Sequence, residues 1–154
     1  MMRRLYVLRA LVLVGIVLML GALAATPLVL TAFFKASAFN PQHPHAVAIS
    51  TVCVYAIAAP CVAALFALLG VCRHLSAGSA GYSAAARRLK IIAGCALAET
   101  GIFWAVQAVL SAFFQAFLYA LTVIPAGAVP WACAVTALTA WVLADVLGRV
   151  APAP

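Results

Sequence analysis

An all-α integral membrane four-helix bundle, with both termini on the inner side of the membrane, is predicted by three observations. Of 154 residues, 69% are hydrophobic and only 7% charged, against roughly 45–50% and 25% in soluble domains. The charges leave long gaps between them. The gaps are bounded by Lys and Arg far more than by acids, nine against two. A mean hydropathy of +1.24 excludes both a water-soluble globule and an intrinsically disordered chain, because neither can carry so little polar surface.

The first span occupies about residues 10–30. Between Arg9 and Lys35 lie 25 uncharged residues, and from Ala10 to Leu30 the only polar side chain is Thr26. A hydrocarbon core about 30 Å thick needs roughly 20 apolar residues at about 1.5 Å per residue. Arg3 and Arg4, the apolar stretch from Ala10 to Leu20, and Ala22-Leu23-Ala24-Ala25 also match a secretory signal with a small-residue site. The apolar pattern continues through Pro27-Leu28-Val29-Leu30 without a polar mature start, so the segment is read as a retained span.

The second span is about residues 46–71, after the polar stretch Asn40-Pro41-Gln42-His43-Pro44-His45. Pro60 sits in its middle, where the missing amide predicts a kink. After Lys90 the apolar pattern resumes, and from Thr100 to Ala144 there are 45 residues without a charge, too many for one helix. Pro125, Gly127 and Pro130 are the natural breakers, giving spans at about 89–121 and 129–147. Strands fit poorly, because membrane barrels alternate polar and apolar residues. The whole chain, 1–154, reads as one transmembrane domain without repeats or linkers.

Orientation follows from the cations. Arg3, Arg4, Arg9, Arg73, Arg87, Arg88, Lys90 and Arg149 fall on one side of an alternating bundle and Lys35 alone on the other, which predicts an inner loop Arg73–Lys90 and outer loops Thr31–His45 and Thr122–Pro130. Ser83 is placed as the N-cap of the third helix. The surplus of positive charge is explained by topology and by attraction to anionic inner-leaflet lipids, about 1 kcal/mol per basic residue. Arg73, Arg87, Arg88 and Lys90 therefore form a candidate inner docking or lipid surface. Eight cations scattered over three short segments do not make a nucleic-acid face, so no direct nucleic-acid binding is expected.

Glu99 is the most informative single residue. Counted from Ile91 it lies about 12 Å inside the inner face, where a charged side chain costs roughly 2.5–3.5 kcal/mol on insertion scales. It requires a partner or a proton. Tyr55, at a comparable depth on the second span, is the expected partner; the functional alternative is a proton- or cation-responsive carboxylate. Thr100, Gln107, Ser111 and Gln115 fall within about 80° of one another on a helix and form a polar stripe. Interhelical hydrogen bonding explains it at about 0.6 kcal/mol per contact; a solute or ion pathway is the alternative.

Small residues recur every four positions at Ala132, Thr136, Ala140, Ala144 and Gly148, and at Ala108, Ala112, Ala116 and Ala120, a spacing that lets helices approach closely within the chain or between copies. Asp145 and Arg149 are four apart, as in a local ion pair. The cysteines at 53, 61, 72, 95 and 133 contain no Cys-x-x-Cys pair and read as small apolar residues, with no disulfide framework and no metal site. His43 and His45 lack any nearby third ligand in sequence. Two carboxylates in the whole chain argue against hydrolytic pairs and two-metal chemistry, and no phosphate loop or nucleophile elbow is present. No cofactor and no catalytic residue is expected.

Tyr55-Ala-Ile-Ala-Ala-Pro60, Ala64-Leu65-Phe66-Ala-Leu-Leu69, a short Gly/Ser loop and Ala85-Ala86-Arg87-Arg88-Leu89-Lys90-Ile91-Ile92-Ala93 resemble the bacterial membrane family called domain of unknown function 2975. The likeness covers about residues 50–150: a proline in the middle of the second helix, a leucine-rich inner end, a Phe-Ser-like pair at Tyr82-Ser83, and a Leu-Lys-x-Ile-like start to the third helix. The inner loop is shorter than the family pattern and no acidic tail follows the fourth span. The resemblance implies a four-helix bacterial inner-membrane protein without assigned activity and, as a partner, a helix-turn-helix regulator. Arg exceeds Lys seven to two, which with the abundance of Ala fits a high-GC bacterium. The expected function is therefore that of a non-enzymatic polytopic membrane protein, regulatory or partner-binding, with a small transporter or channel subunit, Glu99 and the helix-three stripe lining its pathway, as the alternative.

Overall fold

The computed structural model describes residues 2–36, 45–76, 81–114 and 119–150. They form four helices: α1 (Met2–Ala36), α2 (Ala46–Leu75), α3 (Tyr82–Phe114) and α4 (Tyr119–Val150). All four are long and apolar enough to cross a membrane. At 30–35 residues each they are about 45–52 Å long, so each overruns a hydrocarbon core of about 30 Å or tilts within it.

Each helix packs on the next in sequence: α1 on α2, α2 on α3, and α3 on α4. The core is built from small residues. Ala85, Ala86 and Ala93 of α3 meet Ala137, Ala140 and Ala144 of α4, while Ala67 and Val71 bring in α2. Apart from a few such as Val71 and Leu89, leucines, valines and tryptophans face outward; Leu28, Val17 and Trp131 are each more than two-thirds exposed. That inversion is expected where lipid is as apolar as leucine: close backbone approach drives helix association and a large apolar side chain does not. The α4 stripe is only partly used, since Ala140 and Ala144 are buried but Ala132, Thr136 and Gly148 are exposed. The partners on α3 come from its beginning and not from Ala108 and Ala112, which are exposed.

The third and fourth helices are divided differently from the sequence expectation. α3 ends at Phe114, and α4 begins at Tyr119 and runs through Pro125 and Pro130, so the expected outer loop Thr122–Pro130 is helical. Each proline removes one amide donor, a loss that a transmembrane helix tolerates because its other backbone bonds and its neighbours hold it together. α1 carries Pro27, and α2 carries Pro60, within unbroken helix.

Within the polar stretch from Arg73 to Lys90, the basic helical start that the Ser83 cap implies is present, with α3 running from Tyr82, while α2 continues to Leu75. Arg73 lies in the last turn of α2, and α3 begins one residue before Ser83, so Ser83 is inside the first turn instead of capping it. The described residues at the two helix ends lie close together. Ser76 donates from Oγ to the Arg73 carbonyl at 2.6 Å and from its amide to the His74 carbonyl. A Cβ on the buried Gly81 would collide with that same His74 carbonyl, so the close approach of the two helix ends requires glycine.

Candidate functional site

Two groupings carry the polar chemistry of the chain. The first is one end of the helix array. Antiparallel packing brings together the start of α1, the end of α2, the start of α3 and the end of α4. Arg9 lies near Cys72, the Arg88 side chain runs over α2 so that a Cβ on Gly70 would meet its Nε at 3.4 Å, and Arg87, Lys90 and Arg149 share one groove. With Arg73, all of these cations are exposed. Lys35 lies in the last turn of α1, at the opposite end. Arg73, Arg87, Arg88 and Lys90 thus stand at one end of the helix array together with Arg9 and Arg149, and Arg87, Lys90 and Arg149 line one groove there. Asp145 and Arg149 line the same groove but form no ion pair with each other; a one-turn spacing on an exposed helix end does not hold two flexible side chains together.

The second grouping surrounds Glu99, the one buried charged or polar residue among the described residues at 5% exposure. Its partner is not Tyr55. The Cys61 thiol of α2 donates to Glu99 Oε2 at 3.4 Å, whereas the Tyr55 hydroxyl donates to the Leu23 carbonyl of α1 at 3.2 Å. The reason lies in helix register. α2 and α3 overrun the hydropathy boundaries at their shared end, so Glu99 lies opposite Cys61, and Tyr55 sits six residues, about 9 Å, farther along α2.

Two more cysteines lie near the Cys61–Glu99 pair. Cys133 of α4 lies within electrostatic reach of both Glu99 and Cys61, and Cys95, one turn before Glu99, lies within reach of Cys61. All five cysteines are free thiols. Sequence reasoning treated them as interchangeable small apolar residues; the available signal was that Cys95 precedes Glu99 by four positions, on the same helix face. Among the described residues no group of three or more His, Cys, Asp or Glu is arranged to hold a metal ion. What the arrangement does provide is a polar donor for a carboxyl group deep in an apolar bundle, from the neighbouring helix.

Of the stripe on α3, Thr100 alone reaches the Glu99 group, through Cys133 of α4. Thr100 donates to the Ala96 carbonyl at 3.2 Å and Ser111 to the Gln107 carbonyl at 2.7 Å. Gln107 is half-buried and Ser111 exposed, while Gln115 lies outside the described residues. Thr26, Thr31, Thr51, Thr136 and Thr139 use their hydroxyls in the same way, each on the carbonyl four residues back, the habit of hydroxyl side chains inside helices. His43 of the histidine pair also lies outside the described residues.

Among the comparisons with known proteins, the model of the family described as "Protein of unknown function (DUF2975)" matches residues 30–151. The chain belongs to that family. No match was found among the curated proteins or among the solved structures.

Proposed function

We propose that this member of a family of unknown function is a non-enzymatic, multi-pass protein of the bacterial inner membrane that acts by holding a protein partner at its basic, cytoplasmic end. One observation carries the reading: among the described residues every exposed Lys or Arg except Lys35 gathers at the end where α2 turns into α3 and α4 stops. Cations of that number near span ends favour the cytoplasmic side, and they present an exposed surface to whatever docks there. A small helix-turn-helix regulator, the partner that the family resemblance implies, is the first candidate. The non-enzymatic reading rests on the scarcity of acids, two in the chain, with Glu99 enclosed by the bundle and Asp145 exposed.

The test is crosslinking in the native membrane of an affinity-tagged copy, followed by mass spectrometry. The expected result is a soluble or membrane protein crosslinked through Arg73, Arg87, Arg88 or Lys90, and lost when Arg73, Arg87 and Arg88 are changed to Gln. Recovery of the chain alone, or only of further copies of it, would sink the partner reading and leave a homo-oligomer. Reporter fusions at both termini check the orientation; activity only outside the cytoplasm would reverse it. The rival reading, a conduit along α3, receives less support because its hydroxyls are bonded to their own helix. It would be revived if Gln107→Cys and Ser111→Cys, in a chain lacking native cysteines, both reacted with a membrane-impermeant thiol reagent.

A further inference from the structure

We infer that the groove between the start of α3 and the end of α4 is a specific site for the phosphodiester headgroup of an anionic phospholipid, with phosphatidylglycerol as the fitting class. Its volume is about 380 Å³ and it is lined by Arg87 and Lys90 of α3 and by Arg149 of α4, three cations converging from two helices. Ser83 and Asp145 complete its polar wall. The cations suit a phosphate, which arginine binds through paired N–H donors. The Ser83 hydroxyl and the Asp145 carboxylate suit the hydroxyls of a glycerol headgroup, one able to donate and accept and the other to accept.

The groove exists because of a difference in packing along one stripe. Ala140 and Ala144 are buried against α3, but at Gly148, one turn later, a Cβ would meet nothing within 4 Å. Ala86, Ala144 and Gly148 line the cavity without side chains long enough to fill it. Diffuse attraction to an anionic leaflet needs no such space; a bound headgroup does.

The location decides for a lipid over a soluble phosphate. One or two turns toward the membrane, on the same two helices, Leu97, Leu138, Trp141 and Val142 are exposed. A molecule whose phosphate sits among Arg87, Lys90 and Arg149 can lay its acyl chains on this apolar surface. A free phosphate ester would leave it bare. The inference uses the basic end but not the protein partner proposed for it, and stands or falls separately.

The experiment measures retained lipid by native mass spectrometry after the purified full chain is exchanged from micelles containing equal phosphatidylglycerol and phosphatidylcholine. Wild type should retain one phosphatidylglycerol in preference to phosphatidylcholine. Arg149→Gln should weaken retention about fivefold, the equivalent of roughly 1 kcal/mol for one cation, whereas Arg73→Gln, at the same end but off the groove, should leave it unchanged. Gly148→Trp is the sharper variant. It keeps every charge, enters open space, and should abolish retention by filling the cavity, with the thermal transition confirming that the chain is folded. Equal retention by Gly148→Trp and wild type would overturn the proposal, as would equal losses from Arg73→Gln and Arg149→Gln, which would mean a diffuse field. Displacement of the lipid by millimolar glycerol phosphate, with that ester then found bound, would assign the groove to a soluble phosphate and likewise overturn it.

Discussion

The contact of α3 with α4 and the contact of α1 with α2 join helices of similar length, but the first pair is the less apolar, with mean hydropathies of 1.6 against 2.5–2.6, and the two contacts are built differently. The first buries a row of alanines from both helices, with Ala85 fully enclosed. In the second, α1 contributes Val12, Ile16 and Phe34 as its buried residues among those described, and leaves most of its leucines and valines exposed. The more apolar pair is the more loosely packed, so side-chain size along one face, not hydrophobicity, accounts for the tighter contact. Inside a bilayer an outward leucine loses nothing, so α1 is held by a few contacts while α3 and α4 lock through close backbone approach.

The largest expected effect breaks the tighter contact. Ala85→Leu inserts a branched side chain where there is no space and should lower stability by about 3 kcal/mol, the upper end of the usual overpacking cost. Val17→Ala, on the exposed face of α1, should change it by less than about 0.5 kcal/mol. Reversible unfolding in mixed micelles with rising SDS fraction measures both. Equal losses at the two positions would show that the α1 face is covered in the membrane and that the contrast drawn here is wrong.

Gly81→Ala attacks the same half of the molecule through the backbone. The new Cβ meets the His74 carbonyl, and either the α2–α3 turn moves or the helix ends part, at a cost of about 2 kcal/mol. Because Gly81 stands at the start of α3 against the end of α2, the same assay should be joined by crosslinking between Cys substitutions at Ala67 and Ala93, both in the shared core. Wild-type stability with unchanged crosslinking would mean that the turn has slack which the structure does not show.

The sequence made the four spans legible because a charge in hydrocarbon is costly, so the gaps between charges mark the helices whatever else the chain does. Two finer features were hidden for physical reasons. Prolines at 125 and 130 carry a breaking tendency calibrated on helices in water; where no water competes for the backbone, α4 passes through both. The Glu99 partner is not legible in the sequence because depth counts from hydropathy boundaries, whereas the register of α2 against α3 is set by packing and α2 continues past its boundary to Leu75. The basic end was legible as charge and not as shape, since only the three-dimensional structure brings Arg149 beside Arg87 and Lys90.

A smaller effect sharpens the comparison at the middle of the membrane. Cys61→Ala leaves Glu99 Oε2 without its donor and should cost about 1 kcal/mol, within the range measured for interhelical hydrogen bonds in membranes. Cys61→Ser supplies an O–H in place of S–H and should recover most of the loss. Adding Glu99→Leu to Cys61→Ala removes the orphaned group, so the double variant should be more stable than the single one, as expected when both members of a buried polar pair are replaced by apolar groups. If Cys61→Ala and Cys61→Ser behave alike, the thiol acts by volume alone and Glu99 is satisfied by another group.

A smaller effect than that of Cys61 concerns the seating of α1 on α2. Tyr55→Phe removes the 3.2 Å hydrogen bond from α2 to the Leu23 carbonyl while keeping the ring, and Tyr55 is 42% exposed, so the expected cost is about 0.5 kcal/mol. Leu23 already sits in a helix whose carbonyls are bonded internally, and the tyrosine is a second donor to one of them. Its contribution is to the register of α1 on α2 more than to total stability. A crosslink between Cys substitutions at Phe34 and Ala46, which pack together, reports that register directly. In Tyr55→Phe its yield should fall while SDS unfolding barely shifts. A loss as large as that of Ala85→Leu would show that α1 is anchored through this one bond, and the loosely held helix would then be the cooperative part of the fold.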